Sequence, residues 1–150
     1  MGDRTWISIQ IAKKDIKKFL KADPDLAGYN EIENNDGIIT LFFYEMNYAW
    51  YDGAESCAGR GLTFCADHGS GGSYGSGSYA CFKGELVDIE TNHDGWPCVP
   101  YNEDGPLLYI LGNVKKYLKI YGKVKQYFKD YQDNDKTATQ PVDLKNLFIM

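Results

Sequence analysis

The sequence contains no apolar run that approaches the roughly 18 residues needed to cross a bilayer as a helix. Its first ten residues, MGDRTWISIQ, lack the positive-then-apolar pattern of a secretory signal. Trp6 stands where an N-myristoylation motif requires Ser or Thr, so lipidation is not expected either. We therefore expect a cytoplasmic protein that makes no contact with a membrane.

Phosphate-binding motifs are incomplete in this chain. Its most unusual stretch is rich in glycine and serine, HGSGGSYGSGSYACF at residues 68–82. A P-loop needs Gly-Lys followed by Ser or Thr, but the first lysine after these glycines is Lys83. A dinucleotide-binding loop needs a helix after the glycines, whereas SYACFKGELV has the composition of strands. We expect a mobile hairpin loop that orders when a partner binds; the alternative is a generic anion-binding nest.

Soft metal ligands are few, with four cysteines and two histidines in the chain. They are Cys57, Cys65, Cys81, Cys98, His68 and His93. Zinc sites usually place their ligands in pairs about two to four residues apart, and only Cys65 with His68 approaches this spacing. The sequence leaves zinc binding undecided; we predict small buried thiols, no disulfide and no cofactor.

A catalytic signature is also missing. Cys65 or Cys81 can be combined on paper with His68 or His93 and with an acid such as Asp67 or Asp94. With four cysteines, two histidines and 21 acidic residues, however, some such triple always exists. Nothing near these residues matches a nucleophile elbow or a cysteine-protease signature, so we predict no catalytic residue.

Charge is distributed unevenly along the chain, whose net charge is −5. Residues 1–21 hold six positive and two negative side chains (net +4), and residues 107–131 hold six and one (net +5). Between them, residues 22–106 hold two positive and fifteen negative side chains (net −13). One interpretation is solvated faces that attract each other after folding. The other is an acidic surface that steers a basic partner, such as a nucleic-acid-binding protein.

Hydrophobic periodicity predicts an α+β fold. Residues 7–11 alternate apolar and polar side chains like a half-buried strand, and AKKDIKKFLKA then changes to helical spacing. Two strand-like runs flank Asn-Asn-Asp-Gly at 34–37, which is a hairpin turn sequence. Continued along the chain, the pattern is β-α-β-β-α-β-loop-β-β-α. This order predicts a single domain in which a mostly antiparallel sheet is packed by two or three helices.

The longest predicted helix covers residues 107–131, where apolar and aromatic residues recur at spacings of four and three. We expect this stripe to face the core; a homodimer formed through it is the alternative. Gly112 and Gly122 each cost about 1 kcal/mol in a helix interior, which predicts close packing or a bend there. The domain is predicted to span 1–131. Residues 132–150 are then a polar linker and a short apolar tail, with Leu144, Leu147 and Phe148 docked on the domain.

Aromatic residues are abundant, with 12 Tyr, 7 Phe and 3 Trp, and their amphipathic rings suit interfaces. The predicted partner-binding surface is the acidic, aromatic region 45–52 together with the glycine-rich loop. Its residues are Glu45, Tyr48, Trp50, Tyr51, Asp52, His68 and Tyr74. Asp52 is also predicted to cap the helix that follows. Direct binding of nucleic acid is not expected, because the acidic centre would repel phosphates and the isoelectric point is near 5.0.

In texture the chain resembles small proteins carried by phages and other mobile elements: it is tyrosine-rich, acidic and without a catalytic signature. That resemblance implies a protein that acts by binding, such as an inhibitor of a host defence complex. We therefore predict a non-enzymatic binding protein that engages a basic host complex through an acidic aromatic surface. The alternative is a small ligand- or nucleotide-binding enzyme that uses the glycine-rich loop and His68.

Overall fold

The computed structural model describes residues 3–148. The strands are β1 (Arg4–Ala12), β2 (Glu31–Asn35), β3 (Ile38–Asn47), β4 (Phe64–His68), β5 (Gly77–Phe82), β6 (Glu85–Glu90), β7 (Tyr101–Asn102) and β8 (Gly105–Pro106). The helices are α1 (Ile16–Ala22), α2 (Tyr51–Gly59) and α3 (Leu108–Asn134). No helix between residues 3 and 148 combines the length and the apolar character that a membrane crossing requires.

The first six strands form one antiparallel sheet in the order β2-β3-β1-β4-β5-β6, while β7 and β8 form a separate ribbon. Asp36 and Gly37 turn β2 into β3, and Lys83 and Gly84 turn β5 into β6. All four turn residues have positive φ, as tight hairpins of this hand require. The predicted single α+β domain, with its antiparallel sheet and long C-terminal helix, is confirmed.

One face of the sheet carries the larger core. Ile7, Ile9 and Ile11 of β1 all point to this face, because alternate residues of a strand share a side. There they pack with Phe19 of α1 and with Cys57 of α2, and each of these side chains is at most 1% exposed. Burial of this apolar surface holds α1 and α2 on the sheet.

Helix α3 covers the opposite face, mainly over β5 and β6. Its apolar stripe includes Val114, Ile120 and Val124, which pack with Ala80 and Val87 of the sheet. The predicted stripe therefore faces the core of its own chain. Where α3 meets the other strands it packs with Ala12 of β1, Ile38 of β3 and Cys65 of β4. Beyond Ile38, the side chains of β3 on this face are half-buried or exposed.

One local prediction about helices is wrong, and so is part of another. Of the close packing or bend predicted at Gly112 and Gly122, the close packing does not occur, since a side-chain carbon at either position would meet no heavy atom of another element within 4 Å. Asp52 does not cap α2, because it lies inside the first turn and Trp50 occupies the N-cap position. That position has a left-handed backbone and no side-chain capping bond, which sequence rules for capping do not anticipate.

The chain after α3 returns to the body of the domain. The Lys13 ammonium donates hydrogen bonds to the carbonyls of Thr137 and Ala138, at 2.7 and 3.2 Å. Leu144, Leu147 and Phe148 then pack against the larger core. Residues 149 and 150 of the predicted tail, like residues 1 and 2 of the predicted domain, lie outside the described residues.

Candidate functional site: an acidic aromatic cleft

A cleft of about 1030 Å³ opens at the end of the sheet where β4 ends, β5 begins and β6 ends. The starts of α2 and α3 and the end of the glycine-rich loop form its walls. Its aromatic lining consists of Tyr48, Tyr51, Tyr74, Tyr79, Tyr109 and His68, and its carboxylates are Asp52, Asp88 and Glu90. Among residues 3–148, no lysine or arginine contributes to the lining.

A left-handed turn precedes α2 and divides its side chains between cleft and core. Tyr48, Ala49 and Trp50 have φ values of 49°, 51° and 64°, a conformation that costs roughly 1–2 kcal/mol per non-glycine residue. The Tyr79 hydroxyl donates to the Ala49 carbonyl at 2.9 Å, and the Trp50 indole N–H donates to the Asp23 carboxylate at 2.6 Å. These bonds hold the turn, so that Tyr48 is exposed at the cleft while Trp50 is buried.

The glycine-rich loop, residues 69–76, joins β4 to β5 as predicted, but it is tied to Asp3, the residue before β1, rather than free. The Asp3 carboxylate accepts hydrogen bonds from the backbone N–H groups of Gly72 and Ser73 and from the Ser73 hydroxyl. The Ser73 hydroxyl and the Gly72 N–H are the main causes that hold the pKa of Asp3 below its ordinary value. The Tyr74 hydroxyl adds a bond to the Asp3 carbonyl at 3.2 Å. The loop therefore forms an anion nest whose anion is a carboxylate of the same chain.

His68 lies on the floor of the cleft and is 9% exposed. Its Nδ1 lies 2.7 Å from the Gly69 carbonyl, which assigns the proton to that nitrogen in the neutral ring. Its ring packs beside those of Tyr79 and Tyr74, with centroids 5.3 and 6.0 Å away. A Cβ at Gly77 would lie 2.7 Å from Nε2, so the histidine fits because glycine stands opposite it.

Strand pairing places two of the carboxylates. In the β5–β6 ladder Tyr79 lies opposite Asp88 and Gly77 lies opposite Glu90, so both acids share the face of Tyr79. Burial, followed by the nearby Asp88, raises the pKa of Tyr79. A hydrogen bond to Glu55 is the main cause that raises the pKa of Tyr51. Tyr79 and Tyr51 therefore stay neutral, and the negative potential of the cleft comes from its carboxylates.

The cysteines do not supply a nucleophile to this site. Cys65 faces α3 and donates to the Gln10 side chain at 3.2 Å, on the side of the sheet opposite His68. Cys81 lies four residues along β5 from the partner of His68, or about 13 Å at about 3.3 Å per residue. Burial raises the pKa of the Cys65 thiol to about 12 and that of Cys81 to about 11. Within residues 3–148, no group of three or more His, Cys, Asp or Glu side chains is placed to hold a metal ion.

Most of the predicted contact residues meet at the cleft. Those that line it are Tyr48, Tyr51, Asp52, His68 and Tyr74. Glu45 does not, since it lies near the exposed end of β3 and pairs with Arg4 at 3.6 Å. The prediction that Trp50 offers its ring to a partner is wrong. Its side chain is 3% exposed and packs edge-on against Phe64, with ring centroids 5.3 Å apart.

Sequence reasoning missed several residues of the cleft, chiefly Asp88, Glu90 and Tyr109. The positions of the two acids could have been inferred from the sequence. Asp88 and Glu90 are two residues apart on β6 and therefore share a face, and β6 pairs with β5, the strand that follows the glycine-rich loop. Tyr109 had no such signal. Tyr109 stands at the start of α3, and the connector 91–106 brings that end of the helix to the cleft. Local sequence does not determine the path of this connector.

Comparison with known proteins does not place the chain in a family. No family model matches it, and neither a curated protein nor a solved structure matches it. The chemistry of the cleft is therefore the ground on which a function can be proposed.

Proposed function

We propose that the protein is a non-enzymatic binding protein whose cleft receives a basic segment of a partner protein. The observation that supports this proposal is the chemistry of the lining. Three carboxylates and five tyrosines converge on the cleft, and no cationic side chain of residues 3–148 joins them. An arginine or lysine placed there gains attraction from the carboxylates and from the faces of the rings.

The size and rigidity of the cleft suit a peptide segment. Pockets for small ligands measure roughly 300–1,000 Å³, so about 1030 Å³ leaves room for several side chains. Its walls are also held before a ligand arrives. Asp3 ties down the glycine-rich loop, and the hydroxyl of Tyr79 holds the left-handed turn. Preorganised walls reduce the entropy that is lost on binding.

Fluorescence anisotropy with labelled peptides of equal length tests this proposal. One peptide alternates Arg with Gly, a second alternates Glu with Gly, and a third alternates Ser with Gly. We expect only the first to bind, and its affinity to fall as salt is added, because salt screens the cleft carboxylates. Equal affinity for all three peptides would contradict the proposal.

Two variants and two matched controls locate the binding surface. Tyr51→Ala and Asp88→Asn should each lower the affinity for the Arg-Gly peptide about fivefold, which corresponds to about 1 kcal/mol for a cation–π or ionic contact. Tyr101→Ala and Glu103→Gln likewise remove a tyrosine ring and a carboxylate charge, but at exposed positions that do not line the cleft, and they should leave the affinity unchanged. If cleft and control variants behave alike, the peptide binds elsewhere.

The proposed partner is a basic, nucleic-acid-binding component of a host defence complex in the cytoplasm, which the protein would inhibit. The support for this is the resemblance to mobile-element proteins together with the charge of the cleft. A pull-down from the native host, with the wild type and Tyr51→Ala as paired baits, tests it. A basic nucleic-acid-binding protein that only the wild type retains would support the proposal. Partners recovered equally by both baits, or acidic partners, would contradict it.

A small enzyme that uses His68 is the second candidate. The observation in its favour is that Nε2 of His68 lies in a cleft, between two tyrosine rings, with Nδ1 already engaged. The carboxylates Asp88 and Glu90 disfavour a nucleotide substrate, since they would repel its phosphates. His68→Ala should therefore leave nucleotide binding, measured by calorimetry, at the same negligible level as in the wild type. Nucleotide binding by the wild type that His68→Ala abolishes would favour the enzyme instead.

A further inference from the structure

The end of the sheet opposite the cleft gathers positive charge. The register places the end of β1, the start of β4 and the β5–β6 turn at this opposite end. The acidic middle of the chain, residues 22–106, has only two cations, Arg60 and Lys83, and both lie there. Lys83 is in the β5–β6 turn, and its neighbour Gly84 donates to the Leu62 carbonyl at 3.1 Å, just after Arg60.

Lysines from both ends of the sequence join these two residues. A shallow cavity of about 180 Å³ is lined by Lys18, Lys83 and the ring of Tyr127, among others. The ammonium groups of Lys83 and Lys123 lie 5.3 and 5.7 Å from the centre of the Phe82 ring. That of Lys14 lies 4.8 Å from the centre of the Tyr127 ring. We call this surface the basic end and define it as Lys14, Lys18, Arg60, Lys83 and Lys123.

Within residues 3–148, none of the five cations of the basic end takes part in an ion pair. The ion pairs among residues 3–148 involve other cations, namely Arg4, Lys116 and Lys129. Of the neighbouring acids, Glu85 pairs with Lys116 at 3.7 Å. Asp15 lines the same cavity as Lys18 and Lys83, but it is buried there and accepts a hydrogen bond from the Tyr127 hydroxyl. All five side chains of the basic end belong to exposed residues.

We propose that the basic end binds the phosphate backbone of single-stranded nucleic acid. Five exposed cations supply the phosphate contacts. The rings of Phe82 and Tyr127 lie between them, and proteins that bind single strands combine such rings with a positively charged surface. An acidic protein segment would use the cations alone, whereas unstacked bases use the rings as well.

The acidic cleft does not prevent this binding, contrary to the expectation from sequence. Asn113 of α3 lines the cleft, while Tyr127 of the same helix lines the cavity of the basic end. These positions are fourteen residues apart, or about 21 Å at about 1.5 Å per residue. At about 0.1 M ionic strength the Debye length is about 10 Å, so the cleft carboxylates are largely screened from a strand at the basic end.

Fluorescence anisotropy with a labelled oligothymidine tests the proposal. The triple variant Lys18→Gln, Arg60→Gln and Lys83→Gln removes three charges from the basic end. It should weaken binding at least tenfold. It should also make the slope of log affinity against log salt less negative by about 2, since each of the three lost phosphate contacts contributes about −0.7 to that slope. The matched control, Lys115→Gln, Lys136→Gln and Lys145→Gln, removes the same charge from exposed positions elsewhere and should bind nearly as the wild type.

Three results would overturn the proposal. They are undetectable binding by the wild type at low salt, equal losses in the two triple variants, and displacement of the oligonucleotide by a poly-glutamate peptide as readily as by unlabelled oligothymidine. Circular dichroism confirms that each variant is folded before it is scored. The Arg-Gly peptide should bind the basic-end variant like the wild type, so a failure at this end is distinguishable from a failure of the cleft.

Discussion

Alanine at Trp50 and alanine at Tyr51 should affect different properties, although the two residues are adjacent. The Trp50 ring is 3% exposed, packs against Phe64 and donates to Asp23. Removing so large a buried side chain costs about 3–5 kcal/mol, because the cavity cannot fully collapse. Tyr51 is 46% exposed at the cleft, and its removal should change the free energy of unfolding by about 0.5 kcal/mol or less.

Urea and thermal unfolding followed by far-ultraviolet circular dichroism measure this difference. For a chain of this length each kcal/mol shifts Tm by about 2–4 °C, so Trp50→Ala should lower Tm by roughly 6–20 °C and Tyr51→Ala by about 2 °C at most. Trp50→Phe keeps a ring in the core and should retain the wild-type affinity for the Arg-Gly peptide, which Tyr51→Ala lowers about fivefold. Wild-type stability of Trp50→Ala, combined with lost peptide binding, would refute the buried placement of this ring.

Other predictions concern local packing and protonation. Gly53→Ala should destabilise the protein in urea, because the new Cβ would lie 2.0 Å from Nε1 of Trp50. A Cβ at Gly122 would meet nothing within 4 Å, so Gly122→Ala should stabilise the protein by about 1 kcal/mol. Changes of the same sign in the free energy of unfolding at both positions would contradict this packing. Iodoacetamide at mildly alkaline pH should modify Cys98 first, as followed by mass spectrometry, because the other three cysteines are buried thiols with raised pKa values. Early modification of any of those three would contradict this placement. The lowered pKa of Asp3 means that its bonds to the loop stabilise the fold above its ordinary pKa of 3.8, and that this stability is lost as pH falls below 3.8. Loop amide resonances of the wild type should therefore approach those of Asp3→Asn in acid, and a carboxyl that titrates at or above 3.8 would contradict the bonding.

The fold could be predicted from sequence because its signals are local. The alternation at Ile7, Ile9 and Ile11 identifies a half-buried strand, and Asp-Gly at 36–37 supplies the positive φ of a hairpin. Trp50 could not be placed in this way. Tyr48 and Trp50 are both aromatic residues of one short segment, and no local pattern tells which of them is buried. The left-handed turn that separates their rings is held by hydrogen bonds to the distant residues Tyr79 and Asp23.

The candidate site was only partly predictable for the same reason. Tyr48, Tyr51 and Asp52 lie within one short segment, so their shared position required little more than proximity in sequence. The anion of the glycine-rich loop is Asp3, about 70 residues earlier in the chain, and no local motif indicates that pairing. The basic end was hidden because two of its five cations, Arg60 and Lys83, lie in a segment of net charge −13, and only the fold brings Lys83 beside Lys18.

Chemical-shift mapping by NMR, with the isotope-labelled protein and the Arg-Gly peptide, tests most directly whether the cleft is the binding surface. The account predicts that the amides that shift cluster at residues 48–52, 74–77, 88–90 and 107–113. Shifts confined to the uncovered sheet face around Trp6 and Tyr44, or to the ribbon near Tyr101, would contradict it.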